Sequence, residues 1–274
     1  MTTTATHRAL GHRFSLGGNE DGLAFLERIF HRMKHSCLSG PTNSYELFIE
    51  DDIARSVIDG RTVYSGDIGE AASRLMTAIN HGAVRSLHEH DVIHAAVVSF
   101  GGAAIIVAAN SRRGKSTLCS ALVSAGFGYM SDELAPIGHD LKVEPYAKPI
   151  TIRAGSFSVI PHLEEFDIAR QGSRRWILDA HLISDAGTTT TALPIGLVVI
   201  PWFVEGSDVQ IRSLSPGEIA AALMTNSFNI PTRRRAGVER MAAVARSTRG
   251  VEIIHGNALD AASELRQVAE GFGA

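Results

Sequence analysis

Three groups of residues in this chain have the right types to do chemistry on a phosphate. They are Gly114 with Lys115 and Ser116, the adjacent acids Asp132 and Glu133, and the scattered His94, Lys148 and Arg153. A turn that opens a helix presents unpaired backbone N–H groups and the positive end of the helix dipole, and both favour an anion. Gly114 keeps a Cβ out of the approach, Lys115 brings a mobile charge to β- and γ-phosphates, and Ser116 offers a hydroxyl to Mg²⁺. The turn runs Asn110, Ser111, Arg112, Arg113, Gly114, Lys115, Ser116, Thr117. It follows the G-x-x-x-x-G-K-[ST] pattern except at the first position, where Ala109 stands, and its interior is bulky. The plain alternative is an ordinary turn between strand and helix.

Phosphoryl transfer uses carboxylates in two ways, one to hold the metal or its waters and one to take the proton of the attacking hydroxyl. Asp132 and Glu133 fit that need only where the backbone bends, because neighbours on a straight strand face opposite ways. Otherwise they are a solvated turn pair. His94 at a strand start reads as a core histidine, and Arg153 either stabilises charge on a phosphoryl group or, with Lys148, lies exposed on an edge strand. His88, His90 and His94 sit on one short stretch, but strand geometry does not gather all three on a zinc ion. The basic clusters Arg174 with Arg175 and Arg233 to Arg235 attract an acidic peptide or phosphorylated ligand, or are solvated charge.

These groups need elements to hold them. An apolar run at 103–109 predicts a strand before the turn. Leu118, Ala121, Leu122 and Ala125 recur at helical spacing after it, and Gly126 to Gly128 end the helix. Residues 129–131 then form the strand that delivers the acids. Apolar runs at 92–100 and 193–203 read as buried strands of a mixed sheet. Earlier, short alternating runs at 44–49 and 61–64 and a helical stretch at 70–80 predict a small β-rich lobe with one helix over 1–87, before a core over 88–274. Ser215, Pro216 and Glu218 form a capping box with proline at the first helical position. Further helices are predicted over 237–245 and over 258–269, with Asn257 as cap, which makes the C-terminal third mainly helical.

The 274 residues are ample for a buried core, and the formal net charge of −3 speaks against nucleic-acid binding. Cys37 and Cys119 stand far apart and form no disulfide framework, which fits the cytoplasm. Neither a secretory signal nor a membrane span is read from the sequence.

Ile93 to Ala96, Asn110 to Thr117 and Phe127 to Glu133 together resemble the HPr kinase/phosphorylase family. The closer likeness is to its shorter relatives in bacterial biosynthetic clusters, which include lasso-peptide precursor kinases. Leu214 to Glu218 and Asn226 to Phe228 also resemble those kinases. The likeness implies a phosphoenolpyruvate-carboxykinase-like P-loop core in an α/β fold. It also implies ATP and Mg²⁺ as cofactors and phosphate transfer to a hydroxyl, such as a serine of a peptide or protein. By that mapping Asp132 is the base, Glu133 and Ser116 hold the metal, His94 orients the catalytic acid, and Arg153 faces the phosphoryl group. The family's second aspartate is Glu133 here, Thr117 replaces a glutamate, and the downstream glycine-rich signature is missing, all of which point away from HPr itself. Family members form rings, so a homo-oligomer stays open. Two rivals remain: a small-molecule kinase of a natural-product pathway, and a nucleotide-binding regulator without turnover.

Overall fold

The computed structural model describes residues 2–34, 40–51, 53–109, 114–153, 169–171, 175–178, 180, 183 and 186–271. It is an α/β fold with mixed sheets, and the described residues fall into two compact units.

The first unit comprises the described residues of Met1–His88, Thr151–Ala154 and Glu165–Asp179. Its main sheet has the order β1 (Thr2–Ala9), β2 (His12–Gly18), β3 (Asn43–Glu50), β4 (Ile53–Ile58), β5 (Arg61–Gly66), antiparallel except for the parallel β2–β3 pair. A parallel pair requires a crossover, and helix α1 (Glu20–Phe30) supplies it. Asn19 caps α1 by accepting from the Gly22 N–H. The same side chain also accepts from the Ile49 N–H and donates to the Ile49 carbonyl, which ties the helix start to β3. Leu26, Ile29 and Phe30 bury the helix face. Helix α2 (Ile68–Ser86), capped by Asp67, lays Leu75, Met76 and Ile79 inward. Among the described residues this lobe therefore has two α-helices, where one was expected. The helical stretch expected at 70–80 also runs a further turn and more beyond its predicted end.

A small sheet in the same unit has the order β11-β13-β12, formed by β11 (Ile150–Arg153), β12 (Ala169–Gln171) and β13 (Arg175–Leu178).

The second unit is built on β6 (Asp91–Phe100), β7 (Ala103–Ala108), β8 (Gly128–Ser131), β9 (Leu134–Ile137), β10 (Lys142–Val143), β14 (Leu193–Phe203), β15 (Gln210–Ser213) and β16 (Arg249–His255). Its sheet order is β10-β9-β6-β7-β14-β16-β15. Strand β8 pairs with β6, and β10 also pairs with the start of β14, so that end of the sheet closes on itself. Strands β7, β14 and β16 are parallel, and β6 is antiparallel to β7. Helices α4 (Pro216–Thr225) and α5 (Ile230–Ser247) supply Ile219, Leu223, Met241 and Val244 to a core shared with Ile93, Ala95 and Val97 of β6 and Ala104, Ile106 and Ala108 of β7. Period-2 alternation turns Ile105 and Val107 to the other face, where α3 (Lys115–Ser124) packs on α6 (Ala258–Glu270).

The capping box at Ser215 is formed in both directions, and Asn257 caps α6 through the Leu259 N–H. Among the described residues the C-terminal third carries three helices, as expected, with the strands β15 and β16 in the same stretch. A short apolar strand set between two helices reads as part of a helical run. No helix among the described residues is long and apolar enough to cross a membrane.

Candidate active site

Strand direction brings the candidate residues to one edge of the sheet. Ala95 pairs with Ala108, so the start of β6 and the end of β7 coincide. Val97 pairs with Ser131, so the end of β8 arrives at the same place. His94, the start of α3 and the two acids are thus neighbours, although the sequence spreads them widely. The N–H of Ala95 donates to the Glu133 carbonyl at 3.2 Å.

The bend that both acids need is made by Ser131. Its Oγ accepts the N–H groups of Glu133 (3.2 Å) and Leu134 (3.0 Å), which turns the chain between β8 and β9. Gly114 precedes α3 with φ of 83°, a left-handed conformation that glycine adopts without strain. Lys115 is buried at the first turn of the helix, and its Nζ donates to the Ala109 carbonyl at 2.7 Å. Burial lowers its pKa, while the charges of Glu133 and Asp132 pull it back up, so the three groups share one electrostatic field. Asn110 to Arg113 lie outside the described residues, while Ser116 and Thr117 sit half-buried in the first turn of α3.

The two acids have different surroundings. The Asp132 side chain is 2% exposed and lies 2.6 Å from Nζ of Lys148, itself 2% exposed. The Tyr129 hydroxyl donates towards Asp132 Oδ1 (3.1 Å) and the Lys148 carbonyl (2.8 Å). Burial would lower the Lys148 pKa, but Asp132 and Glu133 outweigh it and hold the amine protonated. Glu133 is 34% exposed, and Nδ1 of His94, 28% exposed, lies 3.3 Å from its Oε1. That contact is of ion-pair length without hydrogen-bond alignment, since Nδ1 has no aligned partner. Burial would raise the Glu133 pKa, but His94, Lys148 and Lys115 together hold it down to about 2. Glu133 is therefore a carboxylate at any ordinary pH.

The two acids differ in access. Asp132 is enclosed and bonded to Lys148 and Tyr129. His94 contacts Glu133, the more open acid. Lys148, expected to face solvent, faces Asp132 instead. No local pattern in the chain signals that pair, because the lysine returns to the strand end only through the stretch in which the Tyr146 N–H donates to the Met130 carbonyl.

His94 is also held from outside the sheet. Its N–H donates to the Asn226 carbonyl at 2.7 Å, Ile93 bridges to Ser227, and the Phe228 ring meets the imidazole edge-on at 5.3 Å. Asn229 accepts from the Val92 N–H and donates to the His90 carbonyl. The 226–229 link thus behaves as a short extra strand along β6. Arg233 and Arg240 both converge on buried Asp91, at 3.3 and 2.7 Å, so the first of the three clustered arginines is structural. Arg235 pairs with Glu239 on the helix surface. Arg153 ends β11, in the other unit, and its side chain, like that of Arg175, is outside the described residues, as is Arg174.

Among the described residues no cluster of three or more His, Cys, Asp or Glu side chains is arranged to hold a metal, and His88, His90 and His94 do not converge. Cys119 on α3 is buried with its Sγ 3.8 Å from the Ser131 carbonyl. Burial, and then the Asp132 charge, push its thiol far above the ordinary range, while Cys37 lies outside the described residues. Compared with protein-family models and with curated proteins, the chain matches none.

Proposed function

We propose that this protein is an ATP-dependent kinase that transfers the γ-phosphate to a hydroxyl, a serine of a peptide or protein in the first instance. The observation that carries the reading is the buried Lys115, at the start of a glycine-preceded helix, sharing its field with Glu133 and Asp132. The N-terminal turn of a helix with a lysine takes phosphate, and an acid that stays ionised beside it takes the cation that travels with phosphate. The HPr-kinase-like, phosphoenolpyruvate-carboxykinase-like core expected from the sequence belongs to this proposal.

Mg²⁺ fits these residues. It needs only one or two protein oxygens when phosphates and water supply the rest, and Ser116 with Glu133 provides that number without a protein cage. When bound, it neutralises charge on the β- and γ-phosphates. Lys115 leaves the Ala109 carbonyl to meet those phosphates. His94, held by the Asn226 carbonyl and Phe228 with Glu133 beside it, accepts the proton as the acceptor oxygen bonds to phosphorus and the bond to the β-phosphate oxygen breaks. Phe228, half exposed beside His94, offers an apolar face to whatever flanks the acceptor.

The test is phosphate transfer from γ-labelled ATP to candidate peptides and small molecules encoded beside the gene, with Lys115→Ala and His94→Ala as controls. Transfer lost in Lys115→Ala, and reduced about 10²–10⁴-fold in His94→Ala with nucleotide binding intact, supports the reading. Nucleotide binding without transfer to any acceptor would leave a regulator, and transfer only to small molecules would name the rival substrate class.

A further inference from the structure

The acids lie on the β6–β8 side of β7. On the other side, β7 neighbours β14, and β14 neighbours β16, all three parallel and ending at the same edge. Ligands of open α/β sheets bind beyond such carboxyl ends. The residue that ends β14 there is Phe203, and the residue opposite it on β16 is His255. Phe203 is 52% exposed although it is a large apolar ring, and Trp202 and Val204 on either side of it are exposed too. A Cβ placed on Gly114 would stand 3.7 Å from Cβ of Phe203, so the Phe203 side chain starts beside the glycine that opens α3.

His255 backs that ring. It is 1% exposed and meets Phe203 edge-on with centroids 5.9 Å apart. Burial lowers its pKa more than a hydrogen bond with the Asn257 backbone raises it, so the ring behind Phe203 is an uncharged, enclosed backing for that side chain.

Given the nucleotide reading above, on which this inference rests, we propose that Phe203 is the stacking platform for the nucleotide base. The base lies over the ends of β14 and β16, and the terminal phosphate points the opposite way, towards Glu133. Phe203 stands directly beside the helix start, and the sugar and first phosphates bridge from the base to Lys115. A flat ring recognises the face of a base and not its edge pattern, so discrimination between ATP and GTP is weak.

The experiment is calorimetric titration of the full chain with Mg–ATP and with Mg–tripolyphosphate, which carries the phosphates but no base. Wild type should bind ATP the more tightly. Phe203→Ala should weaken ATP by about tenfold or more and leave tripolyphosphate unchanged, while Phe203→Trp keeps ATP affinity. Unchanged melting of the variants shows that folding is intact. ATP affinity untouched by Phe203→Ala, or equal loss of both ligands, overturns the platform while leaving the phosphate site standing. Wild type that binds neither ligand overturns the nucleotide reading and the platform with it.

Discussion

Asp132 and Lys148 show how a single residue can belong to the site and to the core together. Their charges lie 2.6 Å apart with almost no exposure, so removing one leaves the other buried and uncompensated. Asp132→Ala is expected to cost about 3–5 kcal/mol in urea unfolding, whereas Asp132→Ala with Lys148→Met removes both charges and recovers most of that loss. A variant that loses activity through Asp132 therefore needs its stability measured before any catalytic role is assigned. Glu133 behaves differently with pH. Its folded pKa of about 2 lies below the ordinary 4.5, so its pairing stabilises the fold fully above pH 4.5 and is lost as pH falls towards 2. The residue types at this site were legible from the chain alone, because glycine, lysine, serine and paired acids each have few physical uses. Their pairing was not, since His94 with Glu133 and Asp132 with Lys148 depend on which strand lies beside which.

At the scale of elements, the link from α4 to α5 does the work of a strand. Asn229 alone satisfies the Val92 N–H and the His90 carbonyl, and its neighbours Asn226, Ser227 and Phe228 continue the contact to His94. Asn229→Ala is expected to destabilise the protein by about 1–3 kcal/mol. If the link sets the imidazole, the variant should also turn over more slowly with unchanged Mg–ATP affinity, which steady-state kinetics beside calorimetry separates. Strong local signals predicted their elements well: the β7–α3 pair, the capping box at Ser215 and the Asn257 cap are all present. Helix α1 was not legible although Asn19, Glu20 and Asp21 open it and positions 22, 26, 29 and 30 share one face, because Gly17, Gly18 and Gly22 around its start weaken the helical signal. β16 was missed for a different reason. Its seven residues lie between two helices, and the Gly256-Asn257 turn after it reads equally as the cap of α6, so only pairing with β14 fixes it.

Across the whole molecule, the boundary between units is not a single cut in the chain. The first unit takes in described residues of Thr151–Ala154 and Glu165–Asp179 as well as those before Glu89, a return that composition along the chain does not reveal. The second unit is the one whose core carries the candidate site. Cys119 sits at the heart of it, against the carbonyl that precedes the acids. In a Cys37→Ser background, that thiol becomes a native clock: a thiol-trapping reagent reaches it only when α3 lifts from β8. Trapping should be slow in the free protein and slower still as Mg–ATP rises, because a ligand held by the helix start opposes the lifting. In Lys115→Ala the nucleotide should no longer retard the clock, so a stopwatch and a colour change would report occupancy of the site before any acceptor is known.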